Sequence, residues 1–184
     1  MKTLAITVLI LCSGLTCFSQ EIKKLEPVEV TLSPISLVET KEPHRYAYTV
    51  DRNYNVEFAK NPIKFMQKYF NIQDFISSVN HKKYDSFDVI FNAENGFLNA
   101  SYSKNGKLTG TSQRFKNVAL PYAVRLELYK KTKGWNMIKN VYVAYGKGNI
   151  LNKERYRIKV EKDGKTKSLK IDPRELNTGS LAKI

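Results

Sequence analysis

One helix followed by three strands is a pattern that occurs twice in this chain, and it constrains the fold more than any other feature. We expect the first helix to begin at Asn61-Pro62, because Asn is a favoured N-cap and Pro a favoured first helical residue. The stretch 72–80 is expected to add a second short helix. The apolar stripe of the first helix, at helical spacing, consists of Ile63, Phe65, Met66, Tyr69 and Phe70.

Three strands of a meander are predicted to follow, at 84–93, 97–103 and 107–115. Tight turns at Asn95-Gly96 and Asn105-Gly106 separate them, because Asn and Gly tolerate the positive φ that such hairpins require. The three strands and the preceding helices form the first unit.

The second unit has the same order. Its helix opens at Leu120-Pro121 and stops at Gly134, a residue that often ends a helix. The strands are predicted at 137–145, 153–161 and 166–171, from alternating apolar and polar residues. The helix residues expected to be buried are Val124, Leu126, Leu128 and Tyr129.

These elements predict an α+β fold. The two helix-plus-three-strand meander units, 58–116 and 117–175, would form an antiparallel sheet with the helices packed on one face. An extended N-terminal arm, 20–57, would precede them, with short strands at 28–32 and 46–50, and residues 176–184 would form a C-terminal tail.

The first 19 residues are typical of a cleavable secretory signal peptide. Lys2 precedes an apolar run of about nine residues, and the small residues Cys17 and Ser19 suit a cut before Gln20. A bilayer span needs about 20 apolar residues, so a membrane anchor is disfavoured, and neither cysteine has the neighbours of a lipoprotein site. The protein is therefore expected to be exported, to the periplasm or the exterior, without a transmembrane segment after cleavage.

Both cysteines, Cys12 and Cys17, lie in this segment, so the mature chain would have no disulfide and no thiolate chemistry. Its 30 basic and 17 acidic residues give a net charge of +13. The excess is concentrated in 113–184, with 18 basic and 6 acidic residues. Such a charge favours anionic partners and says nothing about fold.

No residue pattern typical of catalysis, of a metal site or of a cofactor site is present. His44 and His81 are 37 residues apart, and no Gly-x-Ser-x-Gly or His-Glu-x-x-His motif occurs. We therefore expect a protein that is not an enzyme and has no cofactor.

A basic strand face is the candidate site. Arg155, Arg157 and Lys159 alternate with apolar residues and should project from one side of their strand. Lys170 on the next strand should lie on the same side, with Tyr142 as a further candidate. Neighbouring cations on a sheet face bind anions, although a solvated outer face looks similar in sequence.

Several stretches within 87–171 resemble the PepSY-like family, also called β-lactamase-inhibitor-protein-like, of small exported bacterial proteins. The similar stretches are the strand and Asn-Gly turn at 97–108, the Leu-Pro helix start at 115–121, the aromatic opening at 135–139 and the Tyr-centred strand at 155–160. The resemblance covers about half of the chain and implies a non-catalytic binding or protease-modulating module. It transfers no binding residue.

The N-terminal arm resembles a small subgroup of exported Gram-negative proteins, some of which carry the name nicotinate-nucleotide adenylyltransferase. That activity requires a His-x-Gly-His motif, whereas His44 is followed by Arg45-Tyr46 and His81 by Lys82-Lys83. We therefore reject it.

Three functions remain after this comparison of patterns. The preferred one is a PepSY-like envelope or secreted module that binds a protein or polymer partner through its sheet. An electrostatic binder of anionic envelope polymer, through Arg155, Arg157, Lys159 and Lys170, is the first alternative. An enzyme of unrecognised type is the second, and it would need an enclosed pocket with convergent polar groups. Nucleic acid is disfavoured as a partner, because export removes the protein from most of it.

Overall fold

The structure, a computed structural model, describes residues 33–38, 44–79 and 84–176. Within these ranges eight strands form one sheet, in the order in which they occur along the chain. The predicted signal segment, the strand predicted at 28–32, His81 and residues 177–184 lie outside the described residues. The strands are β1 Ile35–Val38, β2 Arg45–Val50, β3 Ser86–Ala93, β4 Gly96–Ser103, β5 Leu108–Lys116, β6 Asn136–Lys147, β7 Ile150–Lys162 and β8 Lys165–Ile171.

Two connections between strands hold most of the helices of the described chain, and residues 173–176, after β8, are also helical. A short 3-10 helix (Arg52–Tyr54), α1 (Asn55–Lys60), α2 (Pro62–Tyr69) and α3 (Ile72–Ser78) lie between β2 and β3, and α4 (Tyr122–Lys131) lies between β5 and β6. The long first connection lets β2 and β3 pair in parallel, since a parallel pair requires a crossover and not a tight turn. The other described neighbours pair antiparallel.

The predicted start and stripe of the first helix are confirmed by α2. The Oδ1 atom of Asn61 accepts a hydrogen bond from the backbone N–H of Lys64 at 3.2 Å, as an N-cap does. Phe65 and Met66 are each 2% exposed and face the sheet. Aromatic rings from the helices and the strands pack together in this part of the core, for example Phe58 on Phe115 with centroids 5.4 Å apart.

The buried stripe predicted for α4 is wrong in two of its four residues. Val124 is fully buried and Leu128 packs beside it, but Leu126 is 41% and Tyr129 60% exposed. Each helical residue turns by about 100°, so Leu126 lies roughly 200° from Val124, on the opposite side. The helix contacts the sheet along a narrow line that ends at the buried Thr132.

The α+β class is confirmed, whereas the sheet is larger than two three-strand units. The described strands include β2, which contains the strand predicted at 46–50, and β1, which was not predicted. β1 is four residues long and mostly exposed, so it carries no alternating pattern that a sequence could show. Residues 52–57, predicted as part of an extended arm, are helical, and α1 buries only Phe58.

The two faces of the sheet differ completely in what covers them. One face, called the inner face here, packs against the helices. α1–α3 lie over a first cluster of buried residues that includes Phe87, Phe91 and Phe115. α4 lies over a second cluster of Val124, Tyr156, Ile158, Val160 and Ile171. No described helix covers the other, outer face. Among the described residues no helix has both the length and the apolar character needed to cross a membrane.

Candidate functional site

The outer face of β5–β8 carries a row of three cations, two of which, Arg157 and Lys170, face each other directly. Lys116 of β5 faces Val141 of β6, Val141 faces Arg157 of β7, and Arg157 faces Lys170 of β8. Residues that pair in this way have Cβ atoms about 4.5–5.5 Å apart. The structure therefore places Lys170 directly beside Arg157, in a line that also contains Lys116.

Neighbouring rows extend this surface. Arg114 and Arg155 lie on either side of Val143, and Lys159 faces Lys139. All eight cations are exposed side chains of the same sheet face. The surface, called the basic face below, consists of Arg114, Lys116, Lys139, Lys153, Arg155, Arg157, Lys159 and Lys170.

Acidic residues lie only at the margins of the basic face, within the described part of the chain. Glu161 accepts a hydrogen bond from the backbone N–H of Gly164 at 2.9 Å. Asp172 pairs with Arg174 at 2.9 Å, and this hydrogen bond is the main reason why the pKa of Asp172 is lowered. None of the ion pairs found among the described residues involves a cation of the basic face.

Apolar side chains on β6 separate the cations. Val141 and Val143 are half-buried, and Tyr145, which faces Lys153, is 54% exposed. A shallow hollow of about 410 Å³ opens at this end, lined by Tyr145, Gly146, Lys147, Asn152 and Lys153. The basic face thus combines positive charge with an exposed aromatic ring.

Tyr142 does not belong to the basic face, so its assignment there is wrong. It pairs with Tyr156 across β6 and β7, and both rings lie on the inner face with centroids 4.9 Å apart. The apolar run Val141-Tyr142-Val143 has no alternation that would show which residue points inward.

A cleft of about 770 Å³ lies on the inner face, where neither α1–α3 nor α4 covers the strands. One wall comes from α1 and the start of α2, and the other from the loop 117–121 before α4. The floor comes from adjacent positions of β5, β6 and β7. It contains Gln113, Tyr142, Glu154 and Tyr156.

A hydrogen bond joins two of these floor residues. The hydroxyl of Tyr142 donates to Oε1 of Glu154 at 2.7 Å. Burial is the main cause of a strongly raised pKa for Tyr142, and the hydrogen bond to Glu154 adds to it. Burial also raises the pKa of Tyr156, to about 12. Both hydroxyls therefore remain protonated at neutral pH and serve as hydrogen-bond donors.

Two buried acceptor atoms in the cleft have no hydrogen-bond partner among the described residues. They are the Oδ1 atoms of Asn55, at the start of α1, and of Asn95, in the turn between β3 and β4. An unpaired buried polar atom costs about 1–3 kcal/mol. Both atoms are closed off from solvent, although their residues line the cleft.

Asn140 holds the loop wall of the cleft in place. This β6 side chain is 2% exposed. Its Oδ1 accepts from the backbone N–H of Val118 at 3.0 Å, and its Nδ2 donates to the carbonyl of Val118 at 2.9 Å. The backbone N–H of Asn117, a residue with a φ of 53°, donates to the carbonyl of Asn140. The loop is thus fixed by one side chain and one backbone contact.

Metal-ligating and catalytic groups are sparse in the described ranges. No group of three or more His, Cys, Asp or Glu residues there could hold a metal ion. His44 packs against the ring of Tyr84, with centroids 5.4 Å apart, and is not among the residues that line the cleft.

Comparison of the chain with protein-family models, with curated proteins and with solved structures gave no match. The resemblance to PepSY-like proteins therefore stays a prediction.

Sequence reasoning identified four cations of the basic face and missed the cleft. Arg114 and Lys116 could have been found from the alternation in β5, where they follow the buried Gln113 and Phe115 in turn. Glu154 has a similar signal, because it shares the side of β7 that carries the apolar residues Tyr156 and Ile158.

Proposed function

We propose that this protein is a non-catalytic binding module that holds an anionic polymer on its basic face. The observation that carries the proposal is the set of eight exposed cations on one uncovered sheet face, none of them ion-paired with a described residue. Like charges directly opposite one another on a sheet are destabilising. A bound polyanion offsets this repulsion, because it brings negative charge to several cations at once.

The extent of the surface favours a polymer over a small anion. Four strands spaced about 4.8 Å apart place the row from Lys116 to Lys170 across about 14 Å. A single phosphate or sulfate group is too small to contact the whole row. Val141, Val143 and Tyr145 lie beside the charges and offer apolar contact to sugar rings. We therefore propose an anionic polysaccharide, in keeping with the expected export of the protein.

An acidic protein partner is a second candidate, because the PepSY-like resemblance implies protein binding. An enzyme is the third, and the inner cleft is the feature that favours it. The raised pKa values of Tyr142 and Tyr156 argue against proton transfer there near neutral pH, because a general acid or base needs a pKa near the working pH. The cleft groups are better suited to hydrogen bonding.

The test compares two triple variants with the same loss of charge. The first replaces Lys116, Arg157 and Lys170 by Ser, and the control replaces Lys64, Lys130 and Lys133, exposed cations outside the basic face. Binding of fluorescent heparin is measured at several salt concentrations. We expect the first variant to lose roughly tenfold in affinity at low salt and to show a weaker salt dependence.

Equal losses in the two triple variants would show that net charge, and not the basic face, determines binding. Polyglutamate and a DNA duplex serve as further ligands in the same assay. Preference for polyglutamate over heparin would replace the polysaccharide by an acidic protein partner, and preference for DNA would replace it by nucleic acid.

A further inference from the structure

The inner cleft differs chemically from the basic face, although both use β7. Glu154 provides the only carboxylate among the described residues that line the cleft, and Lys60 the only cation. The side-chain amides of Gln113 and Asn117, which can donate and accept, also line the cleft. Glu154 is therefore the only lining acceptor in the described chain that carries a negative charge.

The Glu154 carboxylate favours an occupant that brings N–H groups. Glu154 uses one oxygen to accept from Tyr142, which leaves the lone pairs of its other oxygen for a ligand. The charge of Arg174 also acts on this carboxylate. A positively charged donor forms stronger hydrogen bonds to a carboxylate than a neutral donor does.

Both walls of the cleft also carry apolar side chains. Ala59 and Ile63 line one side, and Leu120 and Pro121 line the other. Leu151 adds to the apolar lining and is half-buried. A volume of about 770 Å³ lies within the roughly 300–1,000 Å³ of small-molecule sites, which combine mainly apolar walls with a few placed polar groups.

We propose that the cleft binds a small organic amine with an apolar body. The ammonium group hydrogen-bonds to Glu154, and the apolar body lies between α1 and the loop 117–121. Tyr142 acts as a positioning residue, because its hydrogen bond holds the Glu154 carboxylate in one orientation. This site is independent of the polymer site proposed for the outer face.

The test uses three probes that share a phenyl ring and differ in their polar group: 2-phenylethylamine, 2-phenylethanol and 3-phenylpropanoate. Each is titrated into ¹⁵N-labelled protein, and the side-chain amide signals of Asn55 and Asn95 are followed by NMR. We expect the amine to shift both signals, the alcohol to bind more weakly and the carboxylate to leave both signals unchanged.

Two glutamates of β7 provide a matched pair of variants. Glu154 lies in the cleft, whereas Glu161 lies at the margin of the outer face. We expect Glu154→Gln to weaken amine binding at least about tenfold, as loss of a charged hydrogen-bond partner does, and Glu161→Gln to change it less than about twofold. Gln can still accept from Tyr142, and the NMR spectrum of each variant without probe shows whether it folds.

Ala59→Leu is the second variant, because a larger side chain on α1 narrows the cleft and leaves Glu154 in place. We expect it to abolish amine binding. The proposal is overturned if amine and carboxylate shift the same signals equally, if the two glutamate variants bind alike, or if Ala59→Leu binds the amine as the wild type does. None of these results bears on heparin binding by the basic face.

Discussion

Replacing Asn140 by Ala should destabilise the protein through the loop that walls the cleft. The substitution removes both side-chain hydrogen bonds to Val118, at 3.0 and 2.9 Å. Each unpaired backbone group of Val118 then costs about 1–3 kcal/mol if it is buried. Because Val118 is only half-buried, water can reach it in part, and we expect a total of about 2–4 kcal/mol.

The free energy of unfolding by urea and the thermal midpoint Tm measure this loss. A loss of about 3 kcal/mol lowers Tm by roughly 6–12 °C in a protein of this size. Asn149→Ala is the control, because Asn149 is exposed in the turn between β6 and β7, and its effect should stay within about 0.5 kcal/mol. The reasoning fails if Asn140→Ala costs less than about 1 kcal/mol.

The N140D variant tests the direction of the hydrogen bonds. An ionised carboxylate still accepts from the N–H of Val118 but cannot donate to its carbonyl, whereas a protonated carboxyl can donate. The stability of N140D relative to the wild type should therefore rise as the pH falls through the carboxyl pKa. A buried carboxyl titrates over about pH 3 to pH 8. If the difference in free energy of unfolding between N140D and the wild type stays constant over this range, the contact to the carbonyl of Val118 contributes nothing.

Three further predictions concern the core and the tyrosines. Phe115→Ala should cost about 3–5 kcal/mol in urea unfolding, because Phe115 is fully buried; a cost below about 2 kcal/mol would contradict its place in the core. Val124→Ala should lower the free energy of unfolding by about 2 kcal/mol and Leu126→Ala by less than about 0.5 kcal/mol, since only Val124 is buried. Equal losses would show that both residues belong to a buried stripe, as predicted from the sequence. The raised pKa values of Tyr142 and Tyr156 mean that the folded protein holds their protons more tightly than the unfolded chain. Their contribution to stability is complete below pH 10 and decreases as the pH rises from the ordinary pKa of 10.0 towards about 12 for Tyr156. Alkaline unfolding followed by circular dichroism, with tyrosine ionisation followed by absorbance, should show this decrease, and ionisation of all tyrosines in one step near pH 10 before unfolding would contradict it.

The antiparallel strands of the second half of the chain could be predicted from sequence because their signals are local. Tyr156, Ile158 and Val160 alternate with charged residues, and the Asp163-Gly164 turn fixes the pairing of β7 with β8. This alternation of apolar and charged residues therefore predicts both the strand and the side of it that is buried. The same reasoning placed Arg155 and Arg157 on one face.

The parallel pairing of β2 with β3 could not be predicted in this way. It depends on a crossover of more than 30 residues that contains four short helical segments. Six-residue α1, with Phe58 as its only buried residue, has no periodic stripe. The sheet face to which Tyr142 points could not be predicted either. β6 is apolar on both faces near its centre and contains two register shifts, at Met137/Lys139 and at Tyr145/Gly146.

The cleft is a property of tertiary packing. No local sequence pattern determines how far apart α1 and α4 lie. Because they are separated, the centre of the sheet between them is uncovered. One polar floor residue does leave a signal in the sequence, because Glu154 lies on the otherwise apolar side of β7 that carries Tyr156 and Ile158. A polar residue at an inward position is the pattern to look for in such sheets, since a buried polar group needs a partner.

Strand β7 connects both proposed sites. Its alternation points Glu154 and Tyr156 to the cleft and Arg155 and Arg157 to the outer face, and a slip of one residue would exchange the two sets. The hydrogen bond from Tyr142 to Glu154 and the packing of Tyr142 on Tyr156 hold the register on the inner side. On the outer side Arg157 faces Lys170 and Lys159 faces Lys139, and like charges opposite one another repel. Relief of this repulsion is the physical argument behind the proposed binding of a polyanion to the basic face.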